Sequence, residues 1–224
     1  MTDRPDSPRS RRERPAKPAL TREGIVATAV AVLRAEGLRK VTMRRLAQEL
    51  DTGPASLYVY VRNTAELHAA VLDELLGTVG PAPTEGPWRE RLEQVLTAYT
   101  AMLFEHPSLA RSALTARPSG PNYLALIETL LGLLDEGGVP PAQAAWGVDL
   151  LLQHATATAA EHSADEASEE DWDTLRRVVH HASARTHPHI AALGGALLSG
   201  APHERLSWAL RTLIAGIEHA PAPN

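Results

Sequence analysis

The sequence predicts an all-α fold in which a small three-helix head precedes a larger helical body. Aromatic residues make up only 4% of the 224 residues, and alanine and leucine outweigh the β-branched residues. This balance favours helices over sheets. Apolar side chains also recur at helical spacing between prolines and capping residues. We expect residues 1–19 to be a disordered arm, residues 20–76 to form the head and residues 77–224 to form the body.

Capping residues mark the first two helices of the head. Thr21 is a good N-cap, and apolar residues follow it at helical spacing until Gly37, which is expected to end the helix. Thr42 is expected to cap a second helix, whose apolar face includes Leu46 and Leu50. Both helices can therefore bury one face against the rest of the head.

A tight turn at 51–53 separates the second helix from a short third one. The third helix is expected to run over 54–61, with a proline at its first position. Asn63 and Glu66 have the spacing of a capping box, so a fourth helix is expected to begin there and to end at Gly77.

The body is predicted as a series of helices separated by glycine and proline. A loop rich in these two residues, 77–87, is expected to join it to the head. The helices are expected, in chain order, over 87–104, 107–116, 122–136, 140–162, 172–184 and 203–219, with a less regular segment over 187–200.

Charge is distributed unevenly along the chain. Residues 1–62 contain 13 Lys and Arg against 7 Asp and Glu, a net charge of +6, whereas residues 63–224 contain 9 against 20, a net charge of −11. A basic head on an acidic body is typical of a protein that meets nucleic acid at one end. Charge alone also allows a basic tail that only aids solubility.

Several functional classes are excluded by composition. The chain has no cysteine, which rules out disulfides, thiolate zinc sites and cysteine nucleophiles. No apolar run is long enough to cross a membrane, and the polar N-terminus is unlike a secretory signal, so we expect a cytoplasmic protein. No glycine-rich phosphate loop, nucleophile motif or acid–base pair stands out, which argues against an enzyme. Eight of the ten histidines follow residue 150, but their spacing matches no recognised metal site, and none is predicted.

The second and third helices have the spacing of a helix-turn-helix. A third helix of about two turns is too short to be stable alone, so it must rest on the first two. Leu57 would pack inward and leave small and hydroxyl-bearing neighbours facing outward. Such residues allow close approach to DNA.

Two runs make the likeness specific. Residues 42–50 read T-M-R-R-L-A-Q-E-L and residues 54–61 read P-A-S-L-Y-V-Y-V. Together they closely resemble the DNA-binding domain of the TetR family of transcriptional regulators, over roughly 21–76. The resemblance implies that DNA is contacted through the second helix, the third helix and the start of the fourth. The residues that it assigns to phosphates and base edges are Thr42, Arg44, Ala55, Ser56, Tyr58, Tyr60, Arg62 and Asn63.

Two positions depart from the family pattern. Asp51 stands where the family prefers glycine, so the turn is expected to be adjusted or strained. Thr64 stands where a lysine usually meets phosphate, and Arg62 is the candidate to supply that charge. For Tyr58 the alternative is a core aromatic, and for Arg44 a solvated surface charge.

The body more weakly resembles the C-terminal domain of tetracycline repressors. The resemblance implies a homodimer in which residues 141–162 and 203–219 pair with their twins across a two-fold axis, although packing within one chain predicts the same apolar stripe. Ala113 matches the position of a histidine that helps to hold magnesium–tetracycline in those repressors, so we expect a different small-molecule effector. Apolar walls with a few polar groups are expected at Tyr99, Leu103, Leu114, Arg117, Trp146, Leu150, Gln153, His154 and Thr158.

The resemblance implies a ligand-responsive transcriptional repressor that acts as a homodimer on a palindromic double-stranded DNA operator. No cofactor is expected beyond the unidentified effector. Two alternatives stay open. One is a TetR-like small-molecule binding module with degenerate DNA binding, and the other is a transcriptional activator.

Overall fold

The computed structural model describes residues 19–114, 118–161 and 168–222 of the chain, and every regular element in these ranges is helical. The all-α prediction is therefore confirmed. The predicted arm, except residue 19, lies outside the described residues. In chain order the elements are α1 (Arg22–Glu36), α2 (Met43–Glu49), α3 (Pro54–Leu57), α4 (Thr64–Leu76), α5 (Trp88–Glu105), α6 (Pro107–Ala113), α7 (Pro121–Glu136), α8 (Pro141–Glu161), α9 (Ser168–His180), α10 (Pro188–Leu197) and α11 (Pro202–His219), with a 3₁₀ turn at Leu38–Lys40.

The predicted caps of the first two helices are confirmed. Thr21 Oγ1 accepts a hydrogen bond from Gly24 N at 3.0 Å, and Thr42 Oγ1 accepts one from Arg45 N at 3.2 Å. Each hydroxyl satisfies an amide that the first helical turn leaves without a partner. Gly37 ends α1 with a φ of +82°, a backbone conformation that side chains disfavour.

The turn after α2 places Asp51 in the left-handed region, with a φ of +48°. Its N–H donates to Gln48 O at 3.2 Å, and Thr52 N donates to Ala47 O at 2.8 Å. These two bonds form a Schellman motif with Asp51 at the position that usually holds glycine. The expected strain at this turn is therefore observed.

The third helix is shorter than the sequence predicts. α3 ends at Leu57 rather than near Val61, and the backbone tightens so that Tyr60 N donates to Leu57 O at 2.9 Å. Leu57 and Val61 are both fully buried, which ties the two sides of the turn to the core. Because Asn63 is extended, with φ −162° and ψ 173°, the chain must leave the helix before it.

The core of the body is built around α8, which packs against α5, α6, α7 and α11. Gly147 permits a close approach of α8 and α11, since a Cβ there would lie 2.8 Å from Ile217 Cγ2 of α11. At the end of the same helix pair, Gln143 Nε2 donates to Ile217 O at 2.9 Å. These contacts fix α11 against α8.

The segment predicted to be irregular contains a helix, so that prediction is wrong. α10 begins at Pro188, a favoured first position, and packs against α9, which begins earlier and ends earlier than expected. Gly194 and Gly195 lower the helical propensity and hid this helix in the sequence. Gly194 has a packing role, because a Cβ there would lie 2.9 Å from Val179 Cγ1.

Helix α4 joins the head to the body. It packs against α1 on one side and against α6 and α7 on the other. Buried Asp73 accepts hydrogen bonds from the first amides of α7, Tyr123 N at 2.9 Å and Asn122 N at 3.4 Å. A carboxylate at a helix N-terminus satisfies free amides and complements the helix dipole. Gly120 leaves room for it, since a Cβ there would lie 2.1 Å from Asp73 Oδ2.

Candidate DNA-reading face and effector pocket

The residues expected to meet DNA are all exposed, on α2, on α3 and in the turns beside these helices, and we call this surface the DNA-reading face. Leu57 is fully buried and anchors α3, a burial that contributes about 2 kcal/mol. Tyr58 is 52% exposed, so the alternative of a core aromatic does not hold. Exposed side chains on this face include Thr42, Arg44, Ala55, Ser56, Tyr58, Tyr60, Arg62 and Asn63.

Two adjacent arginines on α2 have different surroundings. Arg45 pairs with Glu36 of α1 at 2.6 Å and with Glu49 at 2.7 Å, so it holds α2 against α1. The hydrogen bond from Arg45 holds the pKa of Glu36 below its usual value. Arg44 is exposed, and no carboxylate among the described residues forms an ion pair with it. Arg44 is thus free to bind an anion, whereas Arg45 is already neutralised.

The start of α4 confirms half of the predicted capping box. Asn63 Oδ1 accepts from Glu66 N at 2.9 Å, as expected. Glu66 Oε2 instead accepts from Arg62 N at 2.9 Å and from Arg62 Nε at 2.9 Å. The backbone and then the side-chain hydrogen bond from Arg62 lower the pKa of Glu66. Glu66 therefore stays ionised beside Arg62.

Further basic residues beside this face were missed by sequence reasoning. Arg39 and Lys40 are exposed in the 3₁₀ turn that leads into Thr42. Their signal was present in the sequence, as two cations between a helix-ending Gly37 and the next cap. They add positive charge next to the predicted phosphate contacts.

Two of the predicted pocket residues lie in the core of the body. Tyr99 is 3% exposed and Leu103 is fully buried, both on α5. The Tyr99 hydroxyl lies 2.7 Å from Thr156 Oγ1 of α8, and burial raises the pKa of Tyr99 to about 12. A neutral phenol paired with a hydroxyl can form a hydrogen bond with a polar group of a ligand.

The other predicted pocket residues that the structure describes are more exposed than this pair. Trp146, Leu150 and Gln153 lie one turn apart on an exposed face of α8, and Leu114 is 51% exposed at the end of α6. His154 and Thr158 are half-buried on α8, and buried His154 Nε2 has no hydrogen-bond partner among the described residues. Arg117 lies outside the described residues.

Exposed apolar residues mark the outer faces of α8 and α11. Trp146 is 61% exposed, Leu150 43% and Trp208 66%. Helical spacing explains why sequence reasoning assigned Trp146 and Leu150 to a pocket, since period alone does not separate an inner face from an outer one. Large exposed apolar side chains on two adjacent helices are typical of a protein–protein interface.

No described helix is both long and apolar enough to cross a membrane. In the same residues, no three His, Cys, Asp or Glu side chains converge as metal ligands would, although the rings of His180 and His181 lie edge to face at 5.4 Å.

Two curated relatives are HTH-type transcriptional regulators. An HTH-type transcriptional regulator of Saccharopolyspora erythraea is 34% identical over 123 residues, covering 54% of this chain and 52% of the relative. The HTH-type transcriptional repressor DrrR1 of Streptomyces coeruleorubidus is 36% identical over 131 residues, covering 58% of this chain and 48% of the relative. The matches thus span about half the length of these two relatives.

Solved structures match over nearly the whole chain. SCO7704, a Streptomyces protein classed with transcription regulators, is 59% identical with a TM-score of 0.80, covering 93% of this chain and 99% of that one. The TetR family protein ActR of Streptomyces coelicolor, in complex with actinorhodin, is 38% identical with a TM-score of 0.78, covering 88% and 95%. ActR has also been solved with (S)-DNPA.

Two family models complete the comparison. The model for bacterial regulatory proteins of the tetR family matches residues 25–71, and the model for the tetracyclin repressor-like C-terminal domain matches residues 80–220. Together they include the helix-turn-helix and every helix of the body. The chain belongs to the TetR family of bacterial regulatory proteins.

Proposed function

We propose that this chain is a ligand-responsive transcriptional repressor that binds a palindromic operator as a homodimer. The observation that carries the proposal is the exposed face of α2 and α3, where Arg44 has no acidic partner among the described residues while Arg45 next to it has two. An exposed cation of this kind is suited to phosphate or to a base edge. On this proposal the protein acts in the cytoplasm, and it is not an enzyme.

Dimer formation would bring two heads onto one operator. The exposed apolar residues Trp146, Leu150 and Trp208 support pairing of α8 and α11 with their twins. A two-fold dimer presents its heads to half-sites about 34–36 Å apart, one turn of DNA. We propose residues 20–76 as the DNA-binding domain and residues 77–224 as the ligand-binding and dimerisation domain.

Effector binding would act through the body. ActR was solved with small molecules bound, and the buried Tyr99–Thr156 pair offers polar groups in an apolar setting here. Because Asp73 ties α4 to α7, a ligand that shifts the helices of the body also shifts α4 and the head. The effector then favours a state that does not fit the operator.

The test is fluorescence anisotropy on DNA from upstream of the chain's own gene, with a random duplex for comparison, across a salt series. We expect selective binding that weakens steeply with salt. Arg44→Glu should weaken binding on the order of a hundredfold, since a lost contact costs about 1–3 kcal/mol in each head.

The matched control is Arg185→Glu, which makes the same charge change at an exposed position of the body. It should leave DNA binding unchanged. Equal affinity of wild type and Arg44→Glu would contradict the proposed face. Absence of DNA binding by the wild type would favour the alternative of a small-molecule binding module. A reporter gene whose expression stops when the protein is deleted would favour an activator.

A further inference from the structure

The ion pair at the start of α4 has a geometry that leaves part of the arginine unused. Glu66 Oε2 accepts from both the backbone N and the side-chain Nε of Arg62, each at 2.9 Å. The two terminal nitrogens of the guanidinium have no partner among the described residues, and the Arg62 side chain is 86% exposed. The guanidinium of Arg62 is therefore held through Nε, while its two terminal nitrogens remain available to an anion.

The carboxylate that holds it is itself withdrawn from solvent. The Glu66 side chain is only 25% exposed, and its charge is offset by Arg62 and, at longer range, by Arg22 of α1. It also lies in the first turn of α4, where a negative charge is favourable. A carboxylate so compensated adds little repulsion toward DNA.

The two residues that follow Arg62 at the start of α4 carry no positive charge. Thr64, the first residue of α4, is exposed and uncharged, and Asn63 is engaged in capping the helix. Arg62, which directly precedes this cap and is exposed, is thus a cation available at the start of α4.

We propose that Glu66 is a positioning residue for DNA binding, because it holds the Arg62 guanidinium as a phosphate clamp at the start of α4. The inference rests on the proposed function, and it deepens that function by adding a residue that does not itself touch DNA. Simple electrostatics makes the opposite prediction. Removal of a carboxylate beside a DNA-binding face should strengthen binding, whereas loss of a positioning residue weakens it.

Glu66→Gln separates these two outcomes. The amide oxygen of glutamine can still accept from Arg62 N, so only the charged hold on the guanidinium is lost. The probe is a short duplex of random sequence, since phosphate contacts do not depend on an operator. We expect about three- to fivefold weaker binding per dimer, the range of an i,i+4 ion pair counted twice.

The matched control is Glu49→Gln, which removes the same charge from another i,i+4 pair of the head, with Arg45. It should bind the duplex as tightly as wild type or more tightly. Arg62→Ala should flatten the dependence of log affinity on log salt by about one per head. In the Arg62→Ala background, Glu66→Gln should have no further effect, and thermal unfolding checks that each variant is folded.

Two results would overturn the inference while the proposed function stands. One is that the wild type binds the duplex and Glu66→Gln binds it as tightly or more tightly. The other is an equal loss from Glu66→Gln with and without Arg62, which would show a general weakening of α4. Failure of the wild type to bind either duplex would instead remove the proposed function itself.

Discussion

The exposed surfaces of the head and of the body differ in chemistry, although both rest on one continuous core. The head presents hydroxyls and the cations Arg44 and Arg62 around a short α3. The body presents Trp146 and Trp208 on neighbouring helices, each more than half exposed. Among the described residues Arg44 has no acidic partner and the terminal nitrogens of Arg62 are unpaired, so both are suited to an anion, whereas an exposed indole is suited to another apolar surface. The difference fits the proposed function, in which the head binds DNA and the body pairs with a second copy of the chain.

A carboxylate placed on the apolar face of the body should have the largest effect, because it removes the chemical difference between the two regions. We expect Trp208→Asp to weaken the dimer at least about thirtyfold, because loss of a buried interface tryptophan costs about 2 kcal/mol or more. Light scattering after gel filtration over a concentration series measures this. Trp172→Asp on α9, where the tryptophan is 46% exposed, is the control and should keep the wild-type mass. A wild-type mass for Trp208→Asp would place the dimer contact elsewhere.

The joint between the two regions should be the next most sensitive point. We expect Gly120→Ala to lower the free energy of unfolding by about 2 kcal/mol, since the new methyl displaces the buried Asp73 carboxylate. Denaturant unfolding measures it.

Gly132→Ala is the control for Gly120→Ala, because Gly132 lies within α7, the helix that Gly120 precedes, and has no atom within 4 Å of the added Cβ. It should stabilise the protein by about 0.5–1 kcal/mol. The double variant Gly120→Ala/Asp73→Ala should lose less free energy of unfolding than the sum of the losses of the two single variants. An additive loss would show that Gly120 and Asp73 do not act through their contact.

The smallest effect is expected at a turn that the head and the body share, which contains Asp51 in the head and Gly138 in the body. Gly138 ends α7 at φ +71°, and Val139 N donates to Leu134 O as Thr52 N does to Ala47 O in the head. Asp51→Gly should stabilise the protein by about 0.5 kcal/mol, and the reciprocal Gly138→Asp should destabilise it by about 1 kcal/mol. Thermal unfolding of both variants measures the pair. A destabilising Asp51→Gly would show that the contacts of Asp51 outweigh its backbone strain.

Local signals in the sequence predicted the head well. Thr21, Thr42 and Asn63 act as caps through hydrogen bonds within three residues, so their role can be read from neighbours alone. The Arg62–Glu66 contact is also local, yet the spacing suggested only a capping box. Which nitrogen of the arginine the carboxylate accepts from depends on the extended conformation of Asn63, and that is a property of the folded turn.

The body was harder to predict because its decisive contacts are distant in sequence. Trp146 and Leu150 follow the same helical period as buried residues of α8, so the pattern could not tell an outer face from a pocket wall. α10 was missed because Gly194 and Gly195 resemble a loop, whereas in the structure Gly194 is where Val179 of α9 packs closely. The assignment of the pocket residues stays a prediction.

The contact between Asp73 and α7 has a consequence for the construction of hybrid regulators. The carboxylate belongs to α4, which a transplanted head would carry with it, while Gly120 and the amide of Tyr123 belong to the recipient. A donor helix with a larger residue at position 73 would collide with the start of α7, and one with a smaller residue would leave its amides without an acceptor. Heads exchanged onto this body should therefore keep aspartate at position 73, or the residue at 120 must be exchanged with them.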